Sequence, residues 1–140
     1  MPVQLNHTIV QATDREETAA FFADILGLPE PTPFGPFLVV ECANDVSLDV
    51  MHDPRPRLPQ HYAFLVSEEE FDAIFARIKG RDLPFWADPF HTTPNQVNTD
   101  DGGRGLYWED PNGHNLEIIT RPYGAADSEP APGSATTGTT

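Results

Sequence analysis

Two histidines and one glutamate stand out as side chains that could bind a metal ion. His7 and His61 each stand near the start of a strand pattern, and Glu117 lies between Leu116 and Ile118. A carboxylate in so apolar a strand must reach solvent or be paired, because burying an unpaired charge is very costly. Two imidazoles and one carboxylate form a facial triad, which leaves coordination positions open for substrate or water. We therefore expect these three residues to bind one divalent metal ion (Fe, Mn, Ni or Zn).

An internal repeat places the two histidines at equivalent positions. The strand pattern Leu5–Val10 and the helix pattern after it recur 54 residues later, beginning with His61–Val66. At this offset His7 falls on His61. Taken singly, each histidine could be an ordinary strand residue and Glu117 could lie on an exposed face. The repeat favours the metal site because it relates these positions to one another.

The second part of each half repeats as well. Phe37–Met51 aligns without a gap on Gly105–Ile119 at an offset of 68 residues, and both segments read as strand, turn and strand. Asp49 falls on Glu117 but is one methylene shorter. We expect it to bind a metal-bound water or a group outside the ligand set, with direct ligation as the less favoured alternative. The difference between the two offsets lies in the loop around Phe90–Arg104, which is longer in the second half.

These patterns predict an α+β fold of two repeats, each βαββ or, with one more strand before the paired ones, βαβββ. The repeats are expected to form a curved cavity of mixed and antiparallel sheet, with the helices outside. In the second half, the additional strand is expected at Phe85–Ala87. The C-terminal segment has no large apolar side chain, so we expect it to be a disordered tail without chemistry. The expected organisation is one domain over residues 1–123 (first repeat about 5–51, connector 52–60, second repeat about 61–123), followed by the tail at 124–140.

Composition narrows the possible partners and the cellular location. The 140 residues carry a formal net charge of -14. This charge argues against nucleic acids and anionic membrane surfaces, because both require a basic footprint. Cys42 is the only cysteine, which excludes an intrachain disulfide and a zinc knuckle. The sequence has neither a signal-peptide pattern nor an apolar run long enough to cross a membrane, so we expect a soluble cytoplasmic protein.

The histidine-led strands, the duplicated units and the run Gly105–Glu117 resemble the vicinal oxygen chelate superfamily. It includes glyoxalase I, extradiol dioxygenases, fosfomycin-resistance enzymes and bleomycin-binding proteins. The resemblance spans residues 5–123. By position, His7, His61 and Glu117 match the three metal ligands of the dioxygenase and fosfomycin-resistance branches. Glyoxalase I enzymes use a fourth ligand, normally Glu, where this sequence has Asp49.

The resemblance also implies two catalytic residues. The segment Leu106–Glu117 resembles the signature around the last ligand of extradiol dioxygenases, which makes Tyr107 the tyrosine that hydrogen-bonds a substrate oxygen. That signature has an acid–base histidine shortly before the tyrosine, where this sequence has residues 98–100, Asn-Thr-Asp. His91, in the long loop, is the candidate for that role, and an exposed loop histidine without a catalytic role is the other interpretation of this residue. We expect His114, in the Pro-Asn-Gly-His turn, to face solvent.

Two functions remain open from the sequence. The resemblance implies a metal-dependent enzyme that chelates adjacent oxygens of a small organic substrate, with dioxygenase-like or glyoxalase- and lyase-like chemistry. The alternative is a bleomycin-resistance-type protein that sequesters a cationic drug without catalysis, which the acidic charge would suit. Aromatic residues could line the cavity: Phe34, Phe37, Phe85, Trp86, Phe90 and Trp108. A homodimer is also implied. In it, His7 either joins His61 and Glu117 of its own chain or completes a site with His61 and Glu117 of its partner.

Overall fold

The computed structural model describes residues 3–55 and 57–123 and divides into two compact units. The first unit comprises the described residues up to Pro59 together with Asp110–His114, and the second comprises Gln60–Glu109 and the described residues from Asn115 to Tyr123. The architecture is mixed α+β with two small sheets and two helices among the described residues, which confirms the predicted fold class. The predicted tail at 124–140 lies outside the described residues.

The first unit is a four-stranded sheet with one helix packed on it. Its described elements are β1 His7–Ala12, α1 Arg15–Leu26, β2 Thr32–Phe34, β3 Phe37–Glu41 and β4 Ser47–His52. The strand order is β1-β4-β3-β2, with β1 parallel to β4 and the other neighbours antiparallel. Helix α1 begins because the Asp14 carboxylate accepts a hydrogen bond from the Glu17 amide. It ends at Gly27, whose φ of 71° is a left-handed conformation that glycine adopts without strain.

The second unit repeats this plan with one strand fewer. Its described elements are β5 His61–Leu65, α2 Glu68–Gly80, β6 Gly105–Glu109 and β7 Asn115–Ile119. The order is β5-β7-β6, with β5 parallel to β7 and β6 antiparallel to it. A capping box between Ser67 and Glu70 starts α2. In place of the strand expected at Phe85–Ala87, Trp86 forms isolated bridges to Pro94 and Tyr107.

Strand register is the same in both units at the two sequence offsets. In the first unit, His7 pairs with Ser47 and Asp49 with Ile9; in the second, His61 pairs with Asn115 and Glu117 with Ala63. Side chains alternate between the two faces of a strand. In β7 the neighbours of Glu117 are fully buried apolar residues, Leu116 and Ile118. Each carboxylate therefore lies on the opposite face of its sheet from the apolar residues beside it.

The Pro-Asn-Gly-His turn is buried, so the expectation that His114 faces solvent was wrong. The His114 side chain is fully buried, and its Nε2 lies 2.9 Å from the carbonyl oxygen of Gln11. Asn112 accepts a hydrogen bond from the Thr13 amide at 2.9 Å, and Asp110 accepts one from the His114 amide at 2.8 Å. The polar turn sequence did not reveal these contacts because the first two join residues about a hundred positions apart in the chain.

Among the described residues, neither helix has the length and apolar character that crossing a lipid bilayer requires.

Candidate metal-binding site

The second unit brings His61 and Glu117 together. Because β5 and β7 are neighbouring parallel strands, Glu117 lies beside Ala63, two residues along β5 from His61. The Nε2 atom of His61 is 2.9 Å from Oε1 of Glu117. The Glu117 side chain is only 5 % exposed, whereas the His61 side chain is 46 % exposed. The buried carboxylate of Glu117 therefore contacts the imidazole of His61, which is partly exposed to solvent.

The hydrogen bond at Nδ1 of His61 determines whether Nε2 presents a hydrogen or a lone pair to the Glu117 carboxylate. The Nδ1 atom of His61 lies 3.0 Å from the main-chain carbonyl oxygen of Asn115. A carbonyl oxygen only accepts hydrogen bonds, so Nδ1 carries the hydrogen. The neutral ring then presents the Nε2 lone pair to a carboxylate oxygen. Two acceptors at this separation repel each other unless a cation, either a proton or a metal ion, binds both of them.

Tyr107 contacts both members of this pair. It is the cross-strand partner of Glu117, and its ring stacks on His61 with centroids 5.9 Å apart and an interplanar angle of 24°. Burial raises the pKa of the Tyr107 hydroxyl, and the charge of Glu117 and a hydrogen bond to that carboxylate raise it further. The phenol is therefore neutral and donates to Glu117. Its predicted catalytic contact with a substrate oxygen stays a prediction.

His91 is tied to the same strand and is not the exposed loop histidine of the alternative interpretation. Its ring stacks on Trp86 with centroids 3.7 Å apart, and its side chain is 20 % exposed. Its Nε2 lies 2.9 Å from Oδ1 of Asn115, and its Nδ1 lies 3.4 Å from Oε2 of Glu109. His91 thus contacts the residue whose carbonyl fixes the ring of His61. The acid–base role assigned to it stays a prediction.

The equivalent positions of the first unit are arranged differently. His7 is exposed, and its Nδ1 lies 2.7 Å from Oδ1 of Asn6. When that amide oxygen accepts the Nδ1 hydrogen, Nε2 of His7 carries the lone pair, as in His61. Asp49 is buried, and its Oδ1 accepts a hydrogen bond from the Ser47 hydroxyl at 2.8 Å. One oxygen of this carboxylate therefore accepts a hydrogen bond from a neutral donor on its own strand.

Within the described part of a single chain, no group of three His, Cys, Asp or Glu side chains lies close enough to hold a metal ion. The pair that one chain brings together is His61 and Glu117. The third ligand expected from the sequence, His7, stays a prediction.

The sequence reasoning missed Asn115. It is the repeat equivalent of Ser47, and the parallel register places it opposite His61. Its side chain contacts His91, and its carbonyl contacts His61. The repeat could have identified it, because the offset of 68 residues carries Ser47 onto Asn115 just as the offset of 54 carries His7 onto His61.

Residues 4–118 match the family model described as the Glyoxalase/Bleomycin resistance protein/Dioxygenase superfamily. The chain belongs to this superfamily. The match confirms the resemblance seen in the sequence.

Several known proteins of this superfamily are similar to the chain. Among solved structures, Oxidase ChaP-H1 is 64% identical, with a TM-score of 0.86, over 88% of this chain and 99% of that one. Oxidase ChaP-H2 is 59% identical, with a TM-score of 0.87, over 90% and 99%. The glutathione transferase FosA of Serratia marcescens is 26% identical over 121 residues, 81% of this chain and 78% of that protein. The metallothiol transferase FosB of Shouchella clausii (strain KSM-K16) is 26% identical over 121 residues, 83% and 79%. These relatives are enzymes and support an enzymatic function in general terms.

The residues of the second unit fit a divalent metal ion of the kind that this superfamily implies. Imidazole nitrogen and carboxylate oxygen are suitable ligands for divalent transition metals. The 2.9 Å separation of Nε2 and Oε1 would allow both atoms to ligate one metal ion. Hydrogen bonds from outside the ligand set also fix both ligands, from His61 to Asn115 and from Tyr107 to Glu117.

Proposed function

We propose that the chain is a metal-dependent oxidase that acts on a small organic substrate through adjacent oxygen atoms. The observation that carries the proposal is the contact between the Nε2 lone pair of His61 and the Glu117 carboxylate, which calls for a cation. The 64% identity to Oxidase ChaP-H1 supports oxidation rather than transfer or lyase chemistry. Zn(II), the redox-inert member of the expected metal set, does not suit an oxidase, and Fe(II) and Mn(II) are the redox-active metals we test.

The side chains of the second unit would each have a defined task. A bound divalent metal would polarise the substrate oxygens and, when redox-active, would give access to dioxygen chemistry. His61 and Glu117 would hold it. Tyr107 would keep the carboxylate oriented, and the Asn115 carbonyl would keep the hydrogen on Nδ1 so that Nε2 stays a ligand atom. The half-exposed face of His61 would leave room for a substrate.

The third ligand in this proposal is His7 of a second copy of the chain. The exposure of His7 and the engagement of its Nδ1 by Asn6 support the availability of Nε2. A homodimer would then contain two shared sites. Mixing His7→Ala chains with Glu117→Gln chains tests this arrangement, because one of the two sites in each mixed dimer regains all its ligands.

Random mixing of these two inactive variants should recover about a quarter of the wild-type activity, since half of the dimers are mixed and each has one intact site. The matched control mixes His61→Ala with Glu117→Gln, whose ligands belong to the same chain; this mixture should stay inactive. No recovery in the first mixture would reject the shared site.

Oxygen uptake tests the proposed reaction. Tag-free protein is reconstituted anaerobically with Fe(II) or Mn(II) and then mixed with catechols in an oxygen electrode. We expect uptake that depends on metal and protein and is lost in Glu117→Gln. Turnover only of methylglyoxal–thiol adducts or of fosfomycin would contradict an oxidase. Tight binding of a cationic glycopeptide recovered unaltered, without any turnover, would favour the drug-sequestering alternative.

A further inference from the structure

Phe90 lies on a loop whose residues immediately before and after it both contact Asn115 of the candidate site. The side-chain nitrogen Nδ2 of Asn115 donates to the carbonyl oxygen of Pro89 at 3.2 Å. Nε2 of His91 lies 2.9 Å from the side-chain oxygen Oδ1 of Asn115. Asn115 in turn pairs with His61 in the β5–β7 ladder and accepts its Nδ1 hydrogen. Phe90 is therefore one residue from each of two contacts to the neighbour of a proposed metal ligand.

The loop around Phe90 is held by its own hydrogen bonds. The Asp88 carboxylate accepts from the Thr92 amide at 2.9 Å, from the Thr92 hydroxyl at 2.7 Å and from the Thr93 amide at 2.8 Å. The Ala87 amide donates to the Thr93 carbonyl at 3.0 Å, which closes the base of the turn. These contacts define the backbone on both sides of the phenyl ring.

The ring of Phe90 is nevertheless 83 % exposed. Holding a large apolar side chain in water on a constrained loop is unfavourable, and covering it with apolar surface recovers that free energy. The face of β5 that carries His61 continues through Ala63 to Leu65, which is 62 % exposed. Uncovered apolar side chains thus lie on the loop beside the pair and on the strand that carries His61.

We propose that Phe90 is a specificity-determining residue that packs against an apolar ring of the substrate while the adjacent oxygens of that substrate reach the candidate metal site. This inference rests on the proposed function. It assigns the substrate class as a chelating molecule with a substantial ring system rather than a small hydrophilic one. The loop exists at this length only in the second half of the chain, which also holds the His61–Glu117 pair.

Two chelators that differ in apolar area test the inference by binding. Protein reconstituted with Co(II) is titrated with naphthalene-2,3-diol and with acetohydroxamic acid, and the visible spectrum of the metal reports binding of either chelator. Phe90→Ala should weaken naphthalene-2,3-diol about 5- to 20-fold, because the ring contact is lost, and should change acetohydroxamic acid by less than about twofold. Phe90→Leu should recover part of the affinity.

Leu58→Ala is the matched control, because Leu58 is a large apolar side chain, 80 % exposed, in the connector and not among the residues expected to line the cavity. It should leave both affinities unchanged. Equal weakening of both chelators by Phe90→Ala, no weakening of either, or a change in the light-scattering mass of the protein would overturn the role of Phe90 alone. If neither chelator alters the spectrum of the wild-type protein, the proposed function itself fails and this inference fails with it.

Discussion

The Nε2 atom of His61 faces the Oε1 atom of Glu117 at 2.9 Å while the Nδ1 hydrogen of the same ring is directed at the Asn115 carbonyl. Neither facing atom of the neutral ring and ionised carboxylate can donate a hydrogen bond to the other. The second unit therefore holds two acceptors, one of them on a buried side chain, in a position that a cation would stabilise. This relationship is the basis of the metal-site proposal.

Tyr107→Phe should weaken metal binding without removing a ligand. The substitution deletes the hydroxyl that donates to Glu117 and leaves the ring stacked on His61. Loss of such a supporting hydrogen bond typically costs about 10- to 100-fold in metal affinity. Competition with a chromophoric chelator measures the change, and Tyr123→Phe, at an exposed tyrosine, is the control. An unchanged affinity would show that Tyr107 does not support the carboxylate.

His91→Ala should lose activity, whereas His91→Gln should keep most of it. A glutamine amide nitrogen can replace His91 Nε2 as the donor to Asn115, whereas alanine removes both this contact and the stacking on Trp86. An acid–base histidine would instead contribute about 10²- to 10⁴-fold, which glutamine could not supply. The pH–rate profiles of both variants distinguish the roles. A glutamine variant as slow as the alanine variant, with one limb of its profile missing, would establish the acid–base role predicted from the sequence.

Asp53→Asn should lower stability at neutral pH and flatten its dependence on acid. Hydrogen bonds and charge from Arg55, with a further bond from Gln11, hold the pKa of Asp53 well below its usual range. Because the folded-state pKa is the lower one, the stabilisation is complete above the unfolded value of about 3.9 and is lost as the pH falls towards the folded value. The free energies of unfolding of wild type and variant should therefore converge in acid.

Urea denaturation between neutral and acidic pH measures this convergence. Asp45→Asn is the control, because Asp45 is exposed and its positive φ is one that asparagine tolerates. A constant difference between wild type and Asp53→Asn across the whole pH range would show that the carboxylate charge does not stabilise the fold.

Removing the metal should leave the fold intact. A chain of this length buries roughly two-thirds of the surface that its unfolded form exposes, so its core does not depend on an ion. Chelator treatment should therefore leave the far-ultraviolet circular dichroism unchanged. It should lower the melting temperature by an amount that grows with the free metal concentration of the untreated sample. Glu117→Gln should show no such metal-dependent shift, and unfolding by the chelator alone would contradict the expectation.

Much of the fold follows from local sequence. The capping residues Asp14 and Ser67 fixed the starts of the two helices, because a side chain that caps an amide acts within three residues. The offset of 68 carries β3, Phe37–Glu41, onto β6, Gly105–Glu109, residue for residue. The sequence grouped His61 and Glu117 as candidate ligands of one metal ion, and the pairing of β5 with β7 brings the two side chains within 2.9 Å of each other.

The remainder depends on contacts between distant parts of the chain. The burial of His114 and the stacking of His91 on Trp86 follow from where a turn and a loop pack, which local polarity does not encode. Asn115 was not predicted because it contacts His61 through its main-chain carbonyl. Every residue has this group, so the residue type carries no signal for the contact. The expected strand around Trp86 is reduced to isolated bridges, since a short edge segment gains little from pairing.

Metal content per chain measures whether His61 and Glu117 hold a metal ion. Tag-free protein, reconstituted anaerobically with Fe(II) and freed of excess metal by gel filtration, is compared as wild type, Glu117→Gln and Asp49→Asn. We expect about one metal ion per chain in the wild type and in Asp49→Asn, and less than about a tenth in Glu117→Gln. Wild-type protein that retains no Fe, Mn, Ni or Zn, or a Glu117→Gln variant that binds as much as the wild type, would contradict it.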